Sequence, residues 1–223
     1  MPGSFEEAMS RSMKRAFAAA LAGLALAMAG CSAFQIETHP GDVLFQDDFT
    51  RAWSGWDRHH EAAYSADYVS GTYHILVNAA NADAVANPGL DFGDVKVQVE
   101  ATRVGGPENN VFGLICRSQD PRDYYFFVVS SDGYAGIGIS KAGRRHLLSS
   151  DTLLPARPIL GGSQTNVLRA DCIGYHLDLY VNGTLVSQAQ SAEWPTGDVG
   201  LLAGSYSEGG VEIAFDNFSV TQP

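Results

Sequence analysis

Few residues in this 223-residue chain stand where they could do chemistry. Acid–base work on a strand needs carboxylates at i and i+2 or i+4, so that they share one face. The nearest sets are Asp171 with Asp178 or Glu193, and Glu212 with Asp216, while Glu100 is a lone acid on a polar strand face. His59-His60-Glu61 contains metal-ligand types. Adjacent strand histidines point to opposite faces, however, so a loop pair is expected there. Gly136-Ile137-Gly138 lies between strand residues and lacks the helix that a phosphate-binding turn requires. No Gly-x-Ser-x-Gly nucleophile turn occurs. Binding chemistry is better supplied. Aromatic rings can stack on the faces of sugar rings, and Trp53, Trp56, Tyr64, Tyr68, Tyr124, Tyr134, Tyr180 and Trp194 are available. Arg117 is a charged residue inside an apolar strand, opposite in phase to Cys116, with Asp123 as a nearby acidic partner. Arg117, Tyr124, Trp56 and Tyr134 are the expected ligand-binding residues.

The elements that must position them are strands. Residues 112–139 read as strand, turn, strand, turn, strand, and residues 124–130 are apolar or aromatic on both faces. Only a strand covered on both sides tolerates that. Val95, Val97 and Val99 alternate with Lys96, Gln98 and Glu100; Tyr73, Ile75 and Val77 form another inward set, as do Leu177, Leu179 and Val181. Asn182-Gly183 follows at once and predicts a type I′ hairpin. The apolar phase flips between Phe215 and Phe218, which predicts a bulge at Asp216–Asn217. No segment repeats at a fixed period. The expected class is all-β: a jelly-roll sandwich of two antiparallel sheets with about eleven to thirteen strands.

Several short motifs, in order, resemble the concanavalin A-like, laminin-G-like sandwiches of bacterial secreted proteins. They are Phe45-Gln46-Asp47-Asp48-Phe49 with Ser54-Gly55-Trp56, then residues 112–117, Asp123-Tyr124-Tyr125-Phe126-Phe127 with Asp132-Gly133-Tyr134, residues 179–183, Val199-Gly200-Leu201, and Phe215-Asp216-Asn217-Phe218. The pattern is also distantly similar to the 3-keto-disaccharide hydrolase family. The resemblance implies a sandwich over residues 43–223. It implies a possible structural Ca²⁺ where first and last strands meet, with Asp47, Asp48 and Asp216 at the corresponding places; the other role for Asp48 and Asp216 is capping of backbone N–H groups. No cofactor is otherwise required. The Glu-x-Asp-x-x-Glu pattern of retaining glucanases on this fold is absent.

The first thirty residues read differently. Arg11, Lys14 and Arg15 precede an apolar run over 16–29 that ends Met28-Ala29-Gly30-Cys31-Ser32. The run suits a signal peptide, with Met1, Met9 or Met13 as its start. Its end resembles a bacterial lipobox, with Met28 in place of the usual leucine and Cys31 as the lipidated residue. Residues 31–42 would then be a short tether, holding the protein in the bacterial cell envelope, facing periplasm or exterior and touching membrane only through its lipid. The net charge is −11, and it argues against nucleic acid as a partner. In an oxidising compartment Cys116 and Cys172, each in an apolar segment, are expected to pair, the other reading being two buried thiols. The sum is a surface lipoprotein carrying a non-catalytic binding module for a glycan or a cell-surface protein. Its alternatives are an enzyme similar to the 3-keto-disaccharide hydrolases and a structural envelope protein without a small ligand.

Overall fold

The computed structural model describes residues 38–223. Cys31, the expected signal segment and most of the expected tether lie outside them. The strands in chain order are β1 (Val43–Asp47), β2 (His59–His60), β3 (Tyr64–Val69), β4 (Thr72–Val77), β5 (Asp83–Ala86), β6 (Val95–Gly105), β7 (Asn110–Asp120), β8 (Asp123–Val129), β9 (Tyr134–Lys141), β10 (Arg144–Leu147), β11 (Leu154–Pro155), β12 (Asn166–Ile173), β13 (His176–Val181), β14 (Thr184–Gln190), β15 (Asp198–Ser205) and β16 (Val211–Thr221). That is more strands than the sequence predicts. The excess lies in pieces such as β2 and β11, two residues each, too short to show a period of two. The two histidines of β2 belong to a strand rather than a loop: His59 packs on Tyr64, and His60 reaches Asp67.

Two sheets face each other. The nine-stranded sheet runs β14-β13-β12-β6-β16-β4-β3-β2, with β1 also on β16. The seven-stranded sheet runs β10-β9-β8-β7-β15-β5, with β11 also on β9. All pairings are antiparallel. The strand β16 bonds β6 on one side and β4 and β1 on the other. The alternating sets fill the space between the sheets: Tyr73, Ile75, Val77, Val95, Val97, Val99, Leu177, Leu179 and Val181 are all buried there. Asn182 and Gly183 both have positive φ, as the hairpin between β13 and β14 requires. The register slips between Asp216 and Ser219, and Asn217 sits at φ +50°, so the phase flip is a bulge.

The doubly apolar stretch lies on β8. Tyr125, Phe127 and Val129 point between the sheets. Tyr124, Phe126 and Val128 point the other way and form a second cluster with Ile115 and Leu202. Leu147 and Leu153, which flank the turn from β10 to β11, pack onto that second face. Small residues make room for them. A Cβ on Gly138 would lie 2.1 Å from the Phe126 ring, and one on Gly136 would lie 2.7 Å from Leu153.

One covalent bond crosses the sandwich. Cys116 on β7 and Cys172 on β12 form a disulfide, their Cα atoms 6.9 Å apart. It joins the two sheets through their core.

Candidate functional site

The outer face of the seven-stranded sheet carries a groove in two halves. Phe126, Val128 and Leu202 floor the first half, which Leu147 and Leu153 flank; its volume is about 370 Å³. The second half, of about 440 Å³, opens where the β8–β9 turn meets the loop after β15. Tyr134 and Tyr206 line it with Asn109, Ser130 and Asp132. Leu153 and Tyr206 border both halves, so they are one trough with an apolar end and a polar end. The two tyrosines are each 40 % exposed. Burial, and then the neighbouring Asp132 carboxylate, push the Tyr206 phenol above its ordinary pKa.

At the apolar end the side chain of Arg145 crosses the face. Its Nε donates to the Tyr124 hydroxyl at 3.1 Å, and Nη2 donates to Asp83 Oδ1 at 2.6 Å and to the same hydroxyl. The guanidinium lies 5.6 Å from the Tyr124 ring centre. Arg145 belongs to β10 and Asp83 to β5, the two edges of this sheet. An ion pair between opposite edges requires the sheet to curl around this face, so the groove is its concave side. Burial raises the Tyr124 phenol to about 12 and lowers the Arg145 guanidinium.

The residues expected to bind ligand are scattered. Tyr134 lies in the polar end of the groove. Tyr124 lies beneath Arg145 with no exposed surface. Trp56 is 4 % exposed and belongs to the core. It packs edge-on to Phe49 and Phe218 and donates from Nε1 to Asp47. Arg117 is 1 % exposed, and its acidic partner is Asp94, 2.9 Å away. Asp123 instead accepts the Ala142 N–H. The reason is backbone geometry. Arg117 has φ +51° within a bulge, where β7 shifts register against both β8 and β15. The bulge breaks the alternation that would send Arg117 away from Cys116, and re-aims it across the sandwich. There Nη1 donates to the carbonyls of Gly174 and Trp194, and Nη2 to that of Cys172 as well as to Asp94. Tyr206 is the residue that sequence reasoning missed. Its signal was an aromatic set in the Ser- and Gly-rich run 205–210 between two strands.

The acid sets do not build an acid–base pair. Asp171 and Asp178 stand opposite each other in register, on β12 and β13. Arg169 holds Asp171, and Gln188 holds Asp178. Burial raises the Asp171 carboxyl, while Arg169 opposes the shift. Glu193 pairs with Lys141, and Glu212 with His74.

The carboxylates expected at a cation site are engaged with their own turns. Asp47 accepts the Phe49 N–H with one oxygen and the Trp56 indole with the other. Asp48 takes the amide and hydroxyl of Thr50, and Asp216 takes the Asn217 N–H. These are caps of turns and a bulge. Among the described residues no three His, Cys, Asp or Glu side chains converge as a metal site.

Solved structures share this architecture. A carbohydrate-binding module, CBM66, from Bacillus subtilis superposes with a TM-score of 0.53 at 14 % identity, over 76 % of this chain and 96 % of its own. A Bacillus licheniformis β-glucanase gives 0.58 at 11 % identity, over 84 % of this chain and all of its own. The GH43 protein BlXynB of Bacillus licheniformis gives 0.59 at 14 % identity, over 81 % of this chain but 39 % of its own. The fold is a concanavalin A-like jelly roll. No protein-family model and no curated protein matches the chain. At such identities the likeness concerns the fold, and function has to be argued from the site.

Proposed function

We propose that this domain is a non-catalytic glycan-binding module whose sugar lies in the polar end of the concave groove. The observation that carries the reading is the pair Tyr134 and Tyr206, two part-exposed rings lining a cleft that also offers Asn109, Ser130 and Asp132. Rings give stacking surface, and the Asn109 amide and the Asp132 carboxylate, one oxygen of which takes the buried Ser130 hydroxyl, give partners for sugar hydroxyls. The reading calls for no cofactor. A glycan array probed with the protein should show a defined set of binders. Tyr134→Ala and Tyr206→Ala should each weaken the best of them about tenfold, a loss of ~1.4 kcal/mol, with the melting temperature unchanged. Equal binding by the wild type and both variants would sink the placement.

One observation favours the enzyme alternative, hydrolysis of a 3-keto-disaccharide: Asp83 and His146 line the same groove. A silent array together with turnover of such a sugar would replace the first reading by this one. The cell-surface setting rests on the sequence alone. In it Cys31 carries the lipid, the domain faces periplasm or exterior, and a cell-surface protein is the other class of partner. Cys31→Ala should release the protein from the membrane fraction into the soluble one; continued membrane retention would exclude the anchor.

A further inference from the structure

We propose that the apolar end of the groove is a separate site for a carboxylated amphiphile, with Arg145 receiving the carboxylate and the apolar walls and floor receiving the tail. This site uses a different chemistry from the tyrosine cleft. Its floor is hydrocarbon, the buried Phe126, Val128 and Leu202, and the half-buried Val111, Leu147 and Leu153 add the more open apolar surface beside it. The polar lining, Asn81, His146 and Ser205, stands around this surface, which gives an aliphatic chain an apolar contact, and about 370 Å³ lies within the usual range of small-ligand sites.

The charge is placed at one end of that floor. The Arg145 side chain is 32 % exposed, and Tyr124 fixes the plane of its guanidinium through the hydroxyl and the ring. A guanidinium held in one plane binds a carboxylate through a fork of parallel N–H bonds. In the free protein that fork is filled by Asp83, whose side chain is 34 % exposed on an edge strand. An ion pair this close to water contributes little to stability, and Asp83 can turn into solvent at small cost. A ligand carboxylate then occupies the geometry Asp83 leaves. The chain's overall charge of −11 repels anions, but that field is screened within ~8 Å at physiological salt. A small free anion nevertheless gains little, because it meets one part-exposed guanidinium already paired with Asp83; the tail supplies the rest of the affinity.

Isothermal titration of the protein with decanoate, decanol and acetate tests the site, at concentrations below decanoate self-association. Decanoate should bind, decanol at least about tenfold more weakly, since it lacks the charge-assisted bonds, and acetate not measurably. Arg145→Gln should cost decanoate about tenfold or more. Asp83→Asn removes the internal competitor and should tighten decanoate binding about threefold or more. A merely structural ion pair would show no such opposition between its two partners. Tyr134→Ala should leave decanoate binding intact whether or not the tyrosine cleft takes a glycan, so the two readings fail independently. Absence of decanoate binding to the wild type, equal binding of decanol, or weakened binding by Asp83→Asn would each overturn the proposal.

Discussion

Arg117→Met is expected to cost the domain about 3 kcal/mol without touching the ligand groove. The guanidinium, 1 % exposed, donates to the carbonyls of Gly174 and Trp194 and to Asp94. Methionine fills much of its volume but donates nothing. The bond to the Cys172 carbonyl is buried and those to Gly174 and Trp194 are part-buried; carbonyls left without a donor there cost about 1–3 kcal/mol, whereas Asp94, 48 % exposed, recovers water. For a domain of this size that corresponds to a fall of about 6–12 °C in melting temperature. The same arginine organises two loops: Asp94 also accepts the Gly174 N–H, and the Trp194 carbonyl belongs to the segment whose amides bond the Tyr125 hydroxyl. Hydrogen exchange in residues 191–197 should therefore quicken in the variant. An unchanged melting temperature combined with lost glycan binding would restore the surface role that strand phase alone assigns to Arg117.

Loss of the disulfide should be larger still. The bond between Cys116 and Cys172 closes a loop of 56 residues and links one sheet to the other. Constraint of the unfolded chain by a loop of that length contributes about 4 kcal/mol. The double variant Cys116→Ala/Cys172→Ala should lower the urea midpoint accordingly. A reductant should lower the wild type to the same level and leave the variant unmoved. If the variant matched the oxidised wild type, the bond would add nothing to folding stability.

Much of the fold was legible because burial imposes a period. Tyr73, Ile75 and Val77, or Val95, Val97 and Val99, announce strand, face and sheet in a single run. The Asn182-Gly183 hairpin and the Asp216–Asn217 bulge were readable because positive φ restricts residue choice or shifts the apolar phase. The groove was much less legible. Arg117 obeys strand phase in the sequence and breaks it in space, since a bulge leaves no mark when the next residues are polar on either reading. Trp56 looks free beside glycine and serine, yet it closes the core against Phe49 and Phe218. Arg145 and Asp83 are 62 residues apart, and only the curl of a finished sheet brings them together. Tyr124 shows both cases at once: its apolar neighbourhood was visible, but the arginine covering it was not.

The place of β16 has a consequence for how the chain is made. This strand supplies the hydrogen-bonding partner of β6, β4 and β1, so the nine-stranded sheet is split until residues 211–221 exist. Such long-range pairing is slow, because the closure entropy of the intervening chain is spent before the contacts form. A chain synthesised only as far as residue 210 therefore cannot complete this core. The same dependence makes a C-terminal truncation far more damaging than its length suggests.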